Sequence, residues 1–96
     1  MDQLLQTQYG DLVNVSGTSF LISSDSSTHE IRAVNLESPD TWLAVCQFPS
    51  RDEAREANLV IASLIKEGNT LIKWAEVTEL VQLTRAAREG SQAGEA

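Results

Sequence analysis

The stretch "TWLAVCQFPSRDEAREANLVIASLIKEGN", residues 41–69, decides the fold, because it places a strand, a stop and a helix in succession. "TWLAVCQF" is apolar and rich in residues that favour strands. Pro49 has no amide donor and ends the ladder. Ser50 stands three residues before Glu53, the S-x-x-E pattern of a capping box, in which each side chain bonds the other's free backbone N–H. Asp52 and Glu53 also suit the positive end of a helix dipole. Ala54, Ala57, Val60 or Ile61, and Leu64 recur at helical spacing and form the buried stripe. Arg55, Glu56, Ser63 and Glu67 fall elsewhere and can face water. Lys66 suits the last turn, and Gly68-Asn69 ends the helix with a residue that tolerates left-handed geometry. The knot of charge is therefore a helix start and not a chemical site.

Upstream, "DLVNVSG", "TSFLIS" and "EIRAVNL" are short apolar runs separated by "SDSSTH" and "ESPD", whose Ser, Asp and Pro residues make turns. With "TWLAVCQF" they read as an antiparallel β-meander of about four strands. Period-two alternation puts Trp42, Ala44, Cys46 and Phe48 on one face of the last strand and Leu43 and Val45 on the other. A strand apolar on both sides is central or covered twice. One helix covers one face, so the second face calls for the C-terminal segment or another subunit. Trp42 is assigned to the core.

Residues 70–89 allow two readings. "NTLIKWAEVTELVQLTRAAREG" carries strong helix formers and a stripe through Leu71, Trp74, Val77 and Val81. It also splits into a strand "TLIKW", a turn and "TELVQL". A faint likeness between "DLVNVSGTSFLI" and "TLIKWAEVTELV" favours the split; the helix formers favour a helix over Val77–Arg88, which is the reading adopted. Residues 1–89 are expected to form one small α+β domain, with one helix packed on the meander, and 90–96 a flexible tail.

The totals narrow the function. Ninety-six residues with 42% apolar content make one modest core. A net charge of −7, with seven basic residues scattered along the chain, opposes nucleic acid and anionic membranes as partners. One cysteine makes no internal disulfide and fits a reducing compartment. The N-terminus has an acid where a secretory signal has basic residues, and no apolar run is long enough to span a bilayer, so the cytoplasm is expected. On that reading the sequon at Asn14 carries no sugar.

Each candidate for chemistry has a plainer explanation. Cys46 near a helix start has the look of an activated thiol, but a lone strand cysteine is usually a small buried hydrophobe. His29 is the only histidine, so no zinc set can be assembled from Cys and His. Serines and acids for a Ser–His–Asp set are plentiful, yet the G-x-S-x-G elbow is absent. Gly10 and Gly17 do not form a phosphate loop. Arg51 and Arg55, one turn apart, read as a solvated face before they read as an anion site. Trp74 is left open between core and interface.

The phrase "FPSRDEAREANLVIASLIKEG", preceded by "LVN", "EIRAV" and "WLAVCQF", resembles small uncharacterised proteins of prokaryotic and phage type. In these an L-[IV]-N strand opens a β-meander and a phrase like F-x-S-x-E-E-A starts a helix. The likeness covers roughly residues 11–68, with Asp52 in the first acidic position of the phrase. It implies the fold and no activity, cofactor or functional residue.

Together these readings lead to a small cytoplasmic interaction module without catalytic residues, metal or cofactor. It is expected to be a homodimer, with Leu71 and Trp74 at or near the contact. The alternative is a small-ligand protein or enzyme whose pocket forms at a subunit boundary.

Overall fold

A computed structural model describes residues 3–95, with side chains through residue 88. In chain order the elements are β1 (Leu4–Gln6), β2 (Leu12–Asn14), β3 (Thr18–Ser24), β4 (His29–Asn35), β5 (Trp42–Phe48), α1 (Arg51–Glu67), β6 (Leu71–Ile72) and α2 (Trp74–Glu95). The fold is α+β, with α1 packed across a meander as expected.

The meander has three strands, in the order β3-β4-β5. The expected fourth strand, "DLVNVSG", exists as β2 but lies in a second sheet of order β2-β1-β6. There β1 pairs antiparallel with β2 and parallel with β6, with Leu5 opposite Val13 on one side and Ile72 on the other. The partner of β1 thus arrives from the far end of the chain. The likeness between "LVN" and "LI" has a structural counterpart, since β2 and β6 flank the same strand. The second halves of the two phrases diverge into β3 and α2.

β5 corrects the alternation. Ile31 faces Cys46, but Arg32 faces Ala44, so Val45 is an extra residue that shifts the phase. Directly paired residues share a face. Cys46 and Phe48 therefore lie with Ile31 and His29, while Ala44 and Trp42 lie with Arg32 and Val34. The four residues assigned to one face are split between two. Leu43 pairs with Ala33, and Val45 is buried at the bulge. Trp42 is not core: it is 46% exposed.

α1 buries Ala54, Ala57, Ile61 and Leu64, the stripe read from spacing. Two alanines in that stripe let the helix lie close to the sheet. Gly68 closes it at φ +81°, donating its N–H to the Ile65 carbonyl. Its start differs from expectation. Ser50 is the extended N-cap residue, and its carbonyl accepts the Ala54 N–H at 3.2 Å, but its side chain makes no cap bond. Glu53 turns instead to Arg85 on α2, 2.7 Å away, because a cation competes well against a neutral amide for a carboxylate. Glu56, expected in water, is largely covered and pairs with Arg88.

The two readings of residues 70–89 both hold in part. Leu71–Ile72 form a strand, and the helix then begins at Trp74, ahead of the expected Val77. The Gln6 side-chain oxygen accepts the Trp74 N–H at 3.3 Å, and the Lys73 carbonyl accepts from Glu76 and Val77. The backbone is helical to Glu95; the side chains of the expected tail at 90–96 lie outside the described residues. The core joins both sheets and both helices through Leu5, Ile31, Val45, Cys46, Ile61, Leu64, Ile72 and Val77.

Candidate interaction surface

The inner face of the meander meets α1. Its outer face carries three rows set by register: Ser19, Val34 and Trp42; Leu21, Arg32 and Ala44; Ser23, Glu30 and Gln47. No described element packs against these rows. Arg32 holds them together: its Cζ lies 3.9 Å from the Trp42 ring centroid, and its Nε donates to Glu30 Oε1 at 2.7 Å. The guanidinium thus stacks on an aromatic face and has its charge matched, leaving a locally neutral surface on an acidic chain. Leu21 beside it is 53% exposed.

The two edges of this sheet are treated differently. At β5, the turn between β1 and β2 folds over the strand. Thr7, buried, holds that turn: its N–H donates to the Asp11 carbonyl, and its Oγ1 accepts the amides of Tyr9 and Asp11. The turn delivers Gln8, whose N–H donates to the Val45 carbonyl at 2.8 Å and whose Oε1 accepts the Gln47 N–H at 3.1 Å. At β3 no described segment does this.

Near Trp42 the mouth between the two sheets opens into a groove of about 650 Å³, lined by Val13, Thr18, Ala33, Asn35, Trp42 and Leu43 among others. It is shallow and holds no cluster of ionisable groups. A smaller hollow of about 160 Å³ lies under one stripe of α2, between Trp74, Val77, Val81, Phe48 and the Glu53–Arg85 pair. Trp74 meets Phe48 there, with ring centroids 6.4 Å apart. Leu71, its companion in the sequence reading, is 40% exposed on β6.

The candidates for chemistry have these positions. Cys46 is fully buried, and loss of water pushes its thiol from 9.0 up to about 12, against a smaller opposing effect from the Ile31 backbone hydrogen bond. A thiol so placed is protonated at neutral pH and inert as a nucleophile. His29 does meet a serine: its Nδ1 lies 2.7 Å from Ser24 Oγ. The contact follows from register, since Ser24 and His29 are the last pair of the β3–β4 ladder. Asp25, the adjacent acid, accepts hydrogen bonds from the Ser27 and Thr28 amides and the Thr28 hydroxyl. Those bonds, the Ser27 amide first, hold its pKa below the usual 3.8 and commit it to the turn instead of to orienting the imidazole. Among the described residues no group of three His, Cys, Asp or Glu side chains is placed to hold a metal ion. No described helix is long and apolar enough to cross a membrane. Arg51 and Arg55 are exposed at the start of α1, as the solvated-face reading expects.

The surface residues that sequence reasoning missed are Leu21, Arg32 and Val34. Their signal was alternation: in "HEIRAVN" Glu30, Arg32 and Val34 fall opposite Ile31 and Ala33, and in "TSFLISS" Leu21 falls opposite Phe20 and Ile22. Comparison with known proteins finds no matching family model, no matching curated relative and no matching solved structure.

Proposed function

We propose that this chain is a small cytoplasmic protein-interaction module that self-associates and carries out no catalysis. Its contact surface lies on the uncovered β3 margin of the meander and the outer-face residues next to it. The observation that carries the reading is the exposed Leu21 on the β3 margin, beside the stack of Arg32 on Trp42, the two outer-face residue types enriched at interface hot spots, on a chain whose charge otherwise repels its own copies. The lone thiol suits a reducing compartment.

Sedimentation equilibrium from low to high micromolar concentration tests the proposal. Concentration-dependent association is expected, and a wild type that stays monomeric throughout removes the reading. The position of the contact is read from two variants. Leu21→Lys should weaken association while leaving the melting temperature nearly unchanged, since an exposed site contributes little to folding. Trp74→Ala should lower stability by about 2–4 kcal/mol, because Trp74 packs on Phe48. Association that survives Leu21→Lys but is lost in folded Trp74→Ala would move the contact to Leu71 and Trp74.

A further inference from the structure

We infer that the β3 edge is the dimer contact: two copies pair β3 with β3, antiparallel about a two-fold axis through Leu21, and join their meanders into one six-stranded sheet. This rests on the self-association proposed above and specifies its geometry.

The backbone supplies the first argument. Leu36 donates its N–H to the Gly17 carbonyl at 3.0 Å, and Asp25 donates to the Thr28 carbonyl at 3.0 Å. Both pairs continue the β3–β4 register beyond its ends. Hydrogen-bonded and non-hydrogen-bonded pairs alternate along an antiparallel ladder, so Ser19, Leu21 and Ser23 bond to β4. Phe20, Ile22 and Ser24 then point their N–H and C=O groups away from it. Among the described residues no hydrogen bond uses those outward groups. Thr18 keeps an outward carbonyl, its N–H being given to Val15 at 3.2 Å. An edge of this kind accepts an extended strand.

The choice of a second copy comes from self-complementarity. A two-fold axis at Leu21 sets Phe20 opposite Ile22, Ser19 opposite Ser23 and Thr18 opposite Ser24 of the other copy. Each outward N–H of Phe20, Ile22 and Ser24 then meets an outward C=O of the other copy, and only the Ser24 carbonyl lacks a donor, because the Thr18 amide is already used. Phe20 and Ile22 are only partly buried at the margin of the core, and this pairing covers both. On the outer face Leu21 meets Leu21. β3, "TSFLISS", has no charged residue, no proline and no bulge, so two copies of a chain of charge −7 meet without like charges opposed. Asp25 follows β3 directly, but the two-fold axis sets it opposite Gly17 and puts the two Asp25 residues at opposite ends of the contact, while Glu30 and Arg32 on β4 neutralise each other within one copy.

Cysteine cross-linking reads the register. Leu21→Cys puts two thiols in a non-hydrogen-bonded pair with Cα atoms about 4.5 Å apart, within disulfide reach. In Ser23→Cys the same two thiols sit four residues out of step, roughly 14 Å apart. Under mild oxidation Leu21→Cys should form covalent dimer at least about ten times faster than Ser23→Cys, and Ser19→Cys with Ser23→Cys in one chain should match it. Native Cys46 is buried and serves as the silent background. If wild type associates but Leu21→Cys links no faster than Ser23→Cys, the β3 contact is wrong and self-association stands. If wild type is monomeric at high micromolar concentration and Leu21→Cys links no faster than Ser23→Cys, both fail.

Discussion

β3 and β5 are the two margins of one three-stranded sheet and equal in length, yet only one is closed among the described residues. At β5 a turn braced by Thr7 reaches over, Gln8 occupies both a carbonyl and an amide of the strand, and a bulge at Val45 breaks its regularity. Those are the devices by which proteins stop a strand from pairing with strangers. β3 is a regular run of seven residues that, among the described residues, has none of them. Closing one margin so thoroughly while leaving its twin bare argues that the bare one has a use. An apolar strand alone is therefore a poor guide to an open edge: β5 is the more apolar, and it is the one covered.

The sharpest contrast between the margins is chemical. Cys46 lies beneath the closed edge, and Leu21→Cys would put a second thiol on the open one. Burial lifts the Cys46 thiol to about 12, whereas an exposed cysteine titrates near 8.5, so at neutral pH their thiolate fractions differ by about 10³ before access is counted. Alkylation of dilute, reduced Leu21→Cys protein should therefore label position 21 on the order of a thousand times faster than position 46, and unfolding should erase the difference. The same shift has a pH consequence. Above pH 9.0 the unfolded thiol loses its proton while the folded one keeps it, so this group removes stability as pH rises from 9.0 towards about 12. Rapid labelling of native Cys46 at neutral pH would contradict its burial.

A smaller effect is expected from opening the closed margin. Gln8→Ala removes the acceptor of the Gln47 N–H and keeps the backbone bond from position 8 to Val45. The loss of one hydrogen bond at a partly exposed site should cost about 0.5–1.5 kcal/mol, seen as a lower denaturant midpoint. Amide exchange at Gln47 should rise with it. An unchanged midpoint with unchanged exchange would mean that the turn does not guard β5.

How far all this could be read beforehand depended on where the information lay. α1 was legible because its four buried positions are local and periodic. So were β3, β4 and β5 as strands. β1 and β6 were not, since each contributes one buried side chain, Leu5 or Ile72, and a two- or three-residue strand has no period to detect. Their pairing joins Leu4 to Leu71, a contact that no local pattern encodes. The bulge at Val45 was invisible for a different reason: alternation assumes that phase is kept, and one inserted residue reverses it. That slip moved Trp42 from the expected core to the outer face, where Arg32 meets it. The open β3 edge could not be seen at all from the sequence, because an edge is a property of what fails to pair.

The smallest expected effect concerns the helix start, where sequence and structure disagree most directly. A working Ser N-cap is worth about 0.5–2 kcal/mol when replaced by alanine. Here the Ser50 side chain makes no cap bond, and Glu53, its partner in the expected box, is held by Arg85. Ser50→Ala should therefore shift stability by no more than about 0.5 kcal/mol, the range for surface changes that break no named interaction. Glu53→Gln should cost about as little, through a partly exposed ion pair that solvent screens. The two variants differ in their response to salt. Loss of the ion pair should fade as ionic strength rises, whereas a lost hydroxyl cap should not. Denaturant midpoints at low and high salt make the comparison, with α1 intact in both variants because its buried stripe, and not its cap, secures it. A loss of 1–2 kcal/mol for Ser50→Ala, independent of salt, would restore the capping box and show that Glu53 leaves Arg85 in solution.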